Sequence, residues 1–100
     1  KTNNLINNTD LLRILDSSDL VLFDLSSEEV YKDLHIIGAI NINLEEFRKI
    51  IKEDPLLVET LREAQIVVYC RDNCSIDPFL RELFGLKITN VKVFNSFLEW

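Results

Sequence analysis

The chain has 100 residues, 47% of them hydrophobic, which is enough apolar material for one buried core but not for two. Seventeen acidic residues oppose eleven basic ones, and the net charge of −6 disfavours nucleic acid and anionic membrane surfaces as partners. No apolar window approaches the roughly 18 residues of a membrane-spanning helix, so we expect no direct membrane insertion of this segment. We therefore predict one domain over residues 1–100, which could be a piece of a longer protein because the chain stops within a helical pattern.

The N-terminal quarter predicts a short edge strand, a helix and a buried strand. Ile6 marks the edge strand, and Thr9 or Asp10 is a candidate N-cap for the helix that follows. The apolar run Leu20-Val21-Leu22-Phe23 is typical of a strand buried on both faces, and it ends at Asp24. The apolar positions with helical spacing between these strands are Leu11, Leu12 and Leu15.

The middle of the chain predicts three helices and a short strand. Ser26 or Ser27 is the candidate N-cap of a short helix, and Ala39-Ile40 is a short strand after the turn at Gly38. Pro55 separates two further helices. The apolar stripe of the first consists of Leu44, Phe47, Ile50 and Ile51, and that of the second of Leu57, Leu61 and Ala64.

The C-terminal third predicts the central strand, a helix and a last strand. The central strand is Ile66-Val67-Val68-Tyr69, and the helix has Asp77 as its N-cap, Pro78 at its first position and Gly85 as its stop. Its buried stripe consists of Phe79, Leu80, Leu83 and Phe84. The last strand is Val91-Lys92-Val93-Phe94, followed by Phe97 and Trp100 at helical spacing. Strands separated by helices indicate an α/β fold with a parallel sheet flanked by helices.

Cys70 is the first candidate for a reactive group. It directly follows the central strand and precedes a polar stretch and a helix, and Asp24 occupies the equivalent place after another strand. Parallel sheets bind ligands beyond the carboxyl ends of their strands. Unpaired N–H groups at a helix N-terminus stabilise a thiolate, which is the reactive form of cysteine. We therefore favour a functional thiol over a buried cysteine that merely ends a strand.

Cys74 leaves two alternatives open. Two cysteines are too few for a disulfide scaffold, and with a single histidine they do not make a zinc set, so no metal is expected. A reducing compartment is favoured, either the cytoplasm or the cytosolic side of a larger protein. Cys74 is then either a small apolar filler on the first turn of the helix or a resolving thiol that closes a disulfide with Cys70.

Three stretches of the chain, in order, resemble the rhodanese-like domains. The first is Val21-Leu22-Phe23-Asp24 followed by Glu29, Tyr31 and His35-Ile36-Ile37-Gly38-Ala39-Ile40-Asn41; the second is Val67-Val68-Tyr69-Cys70; the third is Asn90-Val91-Lys92-Val93 with Phe97 and Trp100. The resemblance implies a three-layer domain with a central parallel sheet of about five strands.

The resemblance also implies a chemistry. In active members the cysteine takes a sulfur atom from thiosulfate or another donor, becomes a persulfide, and passes the sulfur to a thiol acceptor or partner protein without a cofactor. Cys70 would be that catalytic residue. The N–H groups of its loop would hold the transferred sulfur, and Asp24 and His35 would support the site. The loop consists of Arg71, Asp72, Asn73, Cys74 and Ser75.

The loop departs from the family's pattern. Asn73 and Ser75 stand where active members usually carry glycine and arginine, Ser26 stands where another arginine is usual, and Asn95-Ser96 replaces a glycine pair. Arginine suits an oxyanion because of its charge and planar fork, so thiosulfate is expected to be a poor donor unless Arg71 substitutes. Phosphatase activity, known in tyrosine phosphatases of the same fold, is not expected because Ile76 replaces their closing arginine.

Two functions of different classes follow from these observations. The first is a sulfurtransferase or sulfur carrier that uses a Cys70 persulfide and is weak with thiosulfate. The second is a non-catalytic rhodanese-like module that docks a partner protein. The retained cysteine favours the first, and the missing arginines and glycines favour the second.

Overall fold

The computed structural model describes residues 5–72 and 74–95. Its strands are β1 (Leu5–Ile6), β2 (Leu20–Asp24), β3 (Ile40–Asn41), β4 (Gln65–Tyr69) and β5 (Val91–Phe94). Its helices are α1 (Asn8–Ile14), α2 (Glu28–Asp33), α3 (Leu44–Glu53), α4 (Leu56–Arg62) and α5 (Asp77–Gly85). The proposed helix around Phe97 and Trp100 lies outside the described residues.

The strands form one parallel sheet in the order β1-β5-β4-β2-β3. This confirms the predicted α/β class and a sheet of five parallel strands. The two longest strands lie side by side in register, with Leu20 opposite Gln65 and Asp24 opposite Tyr69. Their carboxyl ends therefore meet at one edge of the sheet, where parallel α/β folds place their sites.

Helices cover both faces of the sheet, as the continuous apolar runs predict. Alternate residues of β4 point to opposite faces, so Val68 packs with Phe47 of α3 and Phe79 of α5, whereas Val67 packs with Leu11 of α1. All five side chains are at most 2% exposed. The sheet thus has two buried faces, and its ends are the surfaces left for chemistry.

The predicted N-caps of two helices are wrong. The side chain of Asn7, rather than Thr9 or Asp10, caps α1 by accepting a hydrogen bond from the Asp10 N–H at 2.8 Å. Asp77 is the first helical residue of α5 instead of its N-cap, a position that Ile76 takes without a side-chain cap. Ser27 does cap α2, the second of the two predicted alternatives.

The predicted strand Ala39-Ile40 is shifted by one residue. It is β3, Ile40–Asn41, after Gly38 with its positive φ of 85°. The helix α5 ends at Gly85, as predicted, but Gly85 is itself helical, and the left-handed residue is Lys87, with φ of 64°.

Candidate functional site

Cys70 lies at the carboxyl end of the central strand β4. Tyr69, the last residue of that strand, is fully buried, and Cys70 is the first half-buried residue after it. The loop then runs for six residues before α5 begins at Asp77. The predicted strand-end thiol is therefore placed at the edge where β2 also ends, beside Leu25 and Ser26.

Cys74 pairs with Cys70 in a disulfide, with 6.1 Å between the two Cα atoms. The backbone N–H of Cys74 also donates to Cys70 Sγ at 3.2 Å, and Cys74 Sγ lies 3.3 Å from the carbonyl oxygen of Leu25. Of the two alternatives predicted for Cys74, the structure shows the disulfide with Cys70.

Two N–H groups of the described loop have different acceptors. Cys74 donates to the Cys70 sulfur, whereas the N–H of Arg71 donates to Ser26 Oγ at 2.9 Å. Asn73 lies outside the described residues, and Ser75 is exposed. The N–H of Cys74 is therefore directed to the sulfur that a transferred atom would join.

Asp72 places negative charge against the same sulfur. Its Oδ1 lies 3.2 Å from Cys70 Sγ, and its Oδ2 accepts a hydrogen bond from the Ser27 N–H at 3.1 Å. The second contact ties the loop to the start of α2 and fixes the carboxylate. A carboxylate at this distance disfavours a negative charge on the Cys70 sulfur.

Cys70, Asp72 and Cys74 also bring three metal-ligating atoms within 4.8 Å of one another. A zinc site requires cysteines as thiolates and a fourth ligand. The disulfide uses both sulfur atoms, so this group offers a metal only the carboxylate in the oxidised form.

The guanidinium group of Arg71 is directed to the C-terminal end of α2. It donates to the carbonyl oxygens of Val30 and Leu34 at 3.1 and 2.9 Å, and lies 3.7 Å from the exposed carboxylate of Asp33. These carbonyls belong to the last turn of the helix, where orphan acceptors and the helix dipole favour a cation. The idea that Arg71 replaces the missing arginine of the loop would require these hydrogen bonds to break.

Asp24 braces the turn that follows β2. Its side chain is fully buried, and Oδ1 accepts a hydrogen bond from the Ser26 N–H at 2.8 Å. The amide of Asn41 donates to the carbonyl oxygens of Asp24 and Ser26 at 3.0 and 2.8 Å. Because Ser26 in turn holds the Arg71 N–H, this network positions the first residue of the cysteine loop.

Sequence reasoning missed Asn41 and the supporting role of Ser26. Asn41 is the last residue of β3, and Ser26 follows the end of β2, so both lie at the sheet edge that also holds Cys70. Their common position near strand ends is the signal from which their role near Cys70 could have been predicted. From the sequence, Ser26 is an alternative N-cap of α2 and stands in place of an arginine, but its side chain, 5% exposed, accepts the Arg71 N–H instead.

Tyr69 connects the strand to the loop before β3. Its buried hydroxyl accepts a hydrogen bond from the Ile36 N–H at 3.0 Å. Burial raises the pKa of Tyr69 well above its usual value, and the neighbouring Asp24 side chain raises it further. The phenol is therefore neutral and structural over the whole physiological pH range.

His35 also has a structural position. Its ring stacks on Tyr31 with 3.7 Å between ring centroids, and Nδ1 lies 2.7 Å from the Tyr31 carbonyl oxygen. Because a carbonyl can only accept, Nδ1 carries the proton. These contacts hold the His35 ring against the C-terminal part of α2.

Two depressions lie near the carboxyl ends of the strands. A small cavity of about 140 Å³ is lined by Cys74, Ser75 and mostly apolar neighbours, among them Leu25 and Phe79. A wider groove of about 750 Å³ lies between α2 and β3, with Ser27 and Ile40 in its wall. Of the two, the small cavity is the one that includes a cysteine of the loop.

The comparison with protein families decides the classification. The family model of the rhodanese-like domain matches residues 7–100. The chain belongs to the rhodanese-like domain family. A search of curated proteins returned no match. The fold, the strand-end cysteine and the family are thus consistent with one another.

Solved structures share this fold. One of them, described as an EanB variant in complex with hercynine, superposes with a TM-score of 0.71 at 20% sequence identity. The superposition covers 94% of this rhodanese-like chain and 24% of that chain, so the present chain spans about a quarter of the other protein's length.

No helix among the described residues is long and apolar enough to span a membrane.

Proposed function

We propose that this rhodanese-like domain is a sulfur carrier or sulfurtransferase that holds sulfane sulfur as a persulfide on Cys70. The observation that carries the proposal is the position of Cys70: half-buried, at the carboxyl end of the central strand, with the N–H of Cys74 3.2 Å from its sulfur. A half-buried sulfur at the end of a parallel strand remains accessible to a small donor.

The reaction is a sulfur transfer between thiols. The Cys70 thiolate attacks the outer sulfur of a donor persulfide, R–S–S⁻, so that a new S–S bond forms on Cys70 and the donor leaves as a thiolate, R–S⁻. An acceptor thiol, either small or on a partner protein, then takes the outer sulfur in the same way. No cofactor takes part in either step.

The charges around the loop favour thiol persulfides over thiosulfate. Asp72 lies beside the sulfur, the Arg71 guanidinium is bound to α2, and the whole chain carries a net charge of −6. Thiosulfate carries two charges and depends most on a cationic loop. Because the cycle needs free thiols, we propose that the domain works in a reducing compartment such as the cytoplasm.

The experiment uses the Cys74→Ser variant, reduced and freed of reductant, so that Cys70 has no thiol beside it. After incubation with a low-molecular-weight thiol persulfide, intact mass should increase by one sulfur atom. A mild thiol should remove that mass, and the Cys70→Ser, Cys74→Ser double variant should never gain it. No adduct from any donor, or an adduct carrying the donor's organic group instead of sulfur, would contradict the proposal.

A non-catalytic docking module is the second candidate. The segment from the end of α2 to the first residue of β3 exposes three large apolar side chains: Leu34, Ile37 and Ile40 are 55%, 82% and 49% exposed. If the sulfur adduct is not formed by a folded protein, this apolar segment becomes the surface to test for a protein partner.

A further inference from the structure

We infer that Cys74 is a resolving nucleophile that discharges the Cys70 persulfide as hydrosulfide, which makes the domain a dithiol-dependent persulfide reductase. The inference rests on the proposed function, since it needs sulfur on Cys70. It adds a second catalytic residue and a product, hydrosulfide, to that function.

The pairing of the two cysteines supplies the geometry. Their Cα atoms are 6.1 Å apart, within the usual range for a disulfide, so the loop accommodates the bond. Cys74 meets Cys70 at Sγ, which is the inner sulfur of a Cys70 persulfide. Attack at that atom breaks the bond to the outer sulfur, whereas attack at the outer atom would only move the persulfide to Cys74.

The electrostatics of the loop favour discharge over storage. A persulfide anion on Cys70 would lie near Asp72 Oδ1, which is 3.2 Å from the inner sulfur. The Cys74 N–H donates to this sulfur, whereas the Arg71 N–H is bound to Ser26. Conversion to a neutral disulfide removes the negative charge from beside the carboxylate as hydrosulfide leaves.

The step balances as Cys70–S–S⁻ plus Cys74–SH giving Cys70–S–S–Cys74 plus HS⁻. The bond between the two sulfurs of the persulfide breaks, and its electron pair leaves on the outer sulfur. The proton of Cys74 leaves with that sulfur. The sulfane sulfur is reduced, and the two cysteines are oxidised.

A dithiol reductant then returns the domain to its starting form. It exchanges with the Cys70–Cys74 disulfide and leaves as its own cyclic disulfide. Cys74 lines the cavity of about 140 Å³ beside Leu25 and Phe79, which gives a small thiol a place to reach this sulfur. Without the reductant, each chain turns over once.

The test follows sulfide release and intact mass together, without added reductant and with a chelator present. Reduced wild-type protein, given one equivalent of thiol persulfide, should release about one hydrosulfide per chain and end as the Cys70–Cys74 disulfide. Cys74→Ser and Cys74→Ala, checked for folding by circular dichroism, should keep the sulfur and release hydrosulfide at least tenfold more slowly. Asp72→Asn should lengthen the life of the wild-type persulfide about three- to tenfold, because it removes the opposing charge.

The outcomes separate the inference from the proposed function. If Cys74→Ser takes up sulfur and wild-type protein keeps it equally long, the resolving role of Cys74 is wrong and the sulfur carrier stands. If neither Cys74 variant takes up sulfur, the proposed function fails, and the persulfide reductase fails with it.

Discussion

Among the single residues near Cys70, Asp72 places a carboxylate against the sulfur atom. Its carboxylate lies 3.2 Å from the sulfur, and the same side chain accepts the Ser27 N–H. Asparagine at this position removes the charge and keeps an acceptor oxygen for Ser27. Asp72→Asn should therefore increase the rate at which iodoacetamide alkylates the reduced Cys74→Ser protein at neutral pH, by about three- to tenfold.

Asp16 offers a matched control for that change. It is exposed and lies between α1 and β2, at the amino ends of the strands and thus at the opposite edge of the sheet from Cys70. Asp16→Asn removes the same charge from the protein and should leave the alkylation rate unchanged. An equal increase in both variants would show that net charge, and not the neighbouring carboxylate, governs the thiol.

Tyr69 is a buried phenol whose hydroxyl holds the Ile36 N–H. Tyr69→Phe leaves that N–H without its partner and should lower the free energy of unfolding by about 1–3 kcal/mol in urea denaturation. A loss below about 0.5 kcal/mol would mean that Ile36 finds another acceptor.

The raised pKa of Tyr69 predicts a particular pH dependence of stability. The neutral phenol contributes its full stabilisation below the ordinary tyrosine value of about 10, and this contribution falls as pH rises from there toward the higher pKa of the folded protein. Wild-type stability should thus fall more steeply above pH 10 than that of Tyr69→Phe. If the free energies of unfolding of the two proteins fell in parallel above pH 10, the raised pKa of Tyr69 would be contradicted.

Residue-scale predictions from the sequence succeeded where position along a strand decides the outcome. Cys70 directly follows one apolar run, and Asp24 ends another. The sequence could therefore predict that both residues lie at the same edge of the sheet. The direction of the Arg71 side chain could not, because it depends on where the last turn of α2 packs, forty residues earlier in the chain. Pairing of Cys74 with Cys70 stayed an alternative, since a spacing of four residues permits a bond without requiring it.

At the scale of elements, the Arg71 side chain joins the cysteine loop to the end of α2. It is 22% exposed and donates to two carbonyls of the last turn, so Arg71→Gln should lower the free energy of unfolding by about 1–3 kcal/mol. Arg13→Gln provides the control, because the Arg13–Asp10 pair is 73% and 53% exposed and should contribute less than about 0.5 kcal/mol. Equal stability of the Arg71 variant and the wild type would leave this guanidinium available for a ligand.

Helix boundaries show what local sequence rules miss. Asn7 caps α1 because β1 ends at Ile6, which leaves one residue for the connection and makes it the capping position. Asp77 was predicted to cap α5 from residue type alone, yet its position before Pro78 falls one residue inside the helix. Both errors arise because the residue type alone does not determine the first residue of a helix. The position of the preceding segment also determines it.

At the scale of the whole molecule, the net charge of −6 repels anionic donors. Raising the ionic strength from about 10 mM to about 150 mM shortens the screening length from about 30 Å to about 8 Å. Sulfur uptake from thiosulfate by Cys74→Ser should therefore become several-fold faster, while uptake from a thiol persulfide without other charges changes little. A rate with thiosulfate that falls as salt is added would reveal a cationic site that attracts the donor.

The overall fold was accessible from the sequence because long-range order here follows from local pattern. Continuous apolar runs at β2 and β4 require a sheet buried on both faces, and helices between parallel strands supply the two covering layers. The hydrogen-bond network of Ser26 and Asn41 arises only when three strand ends meet, and no single segment of the sequence contains it.

A heavy-sulfur label locates the sulfur atom that is transferred to the protein. Reduced Cys74→Ser protein, loaded from a thiol persulfide labelled with heavy sulfur, is blocked with an alkylating agent and digested for peptide mass analysis. We expect the labelled sulfur on the peptide containing Cys70, between the cysteine sulfur and the alkyl group. Label on no peptide, or Cys70 alkylated directly in a fully folded protein, would contradict a persulfide on Cys70.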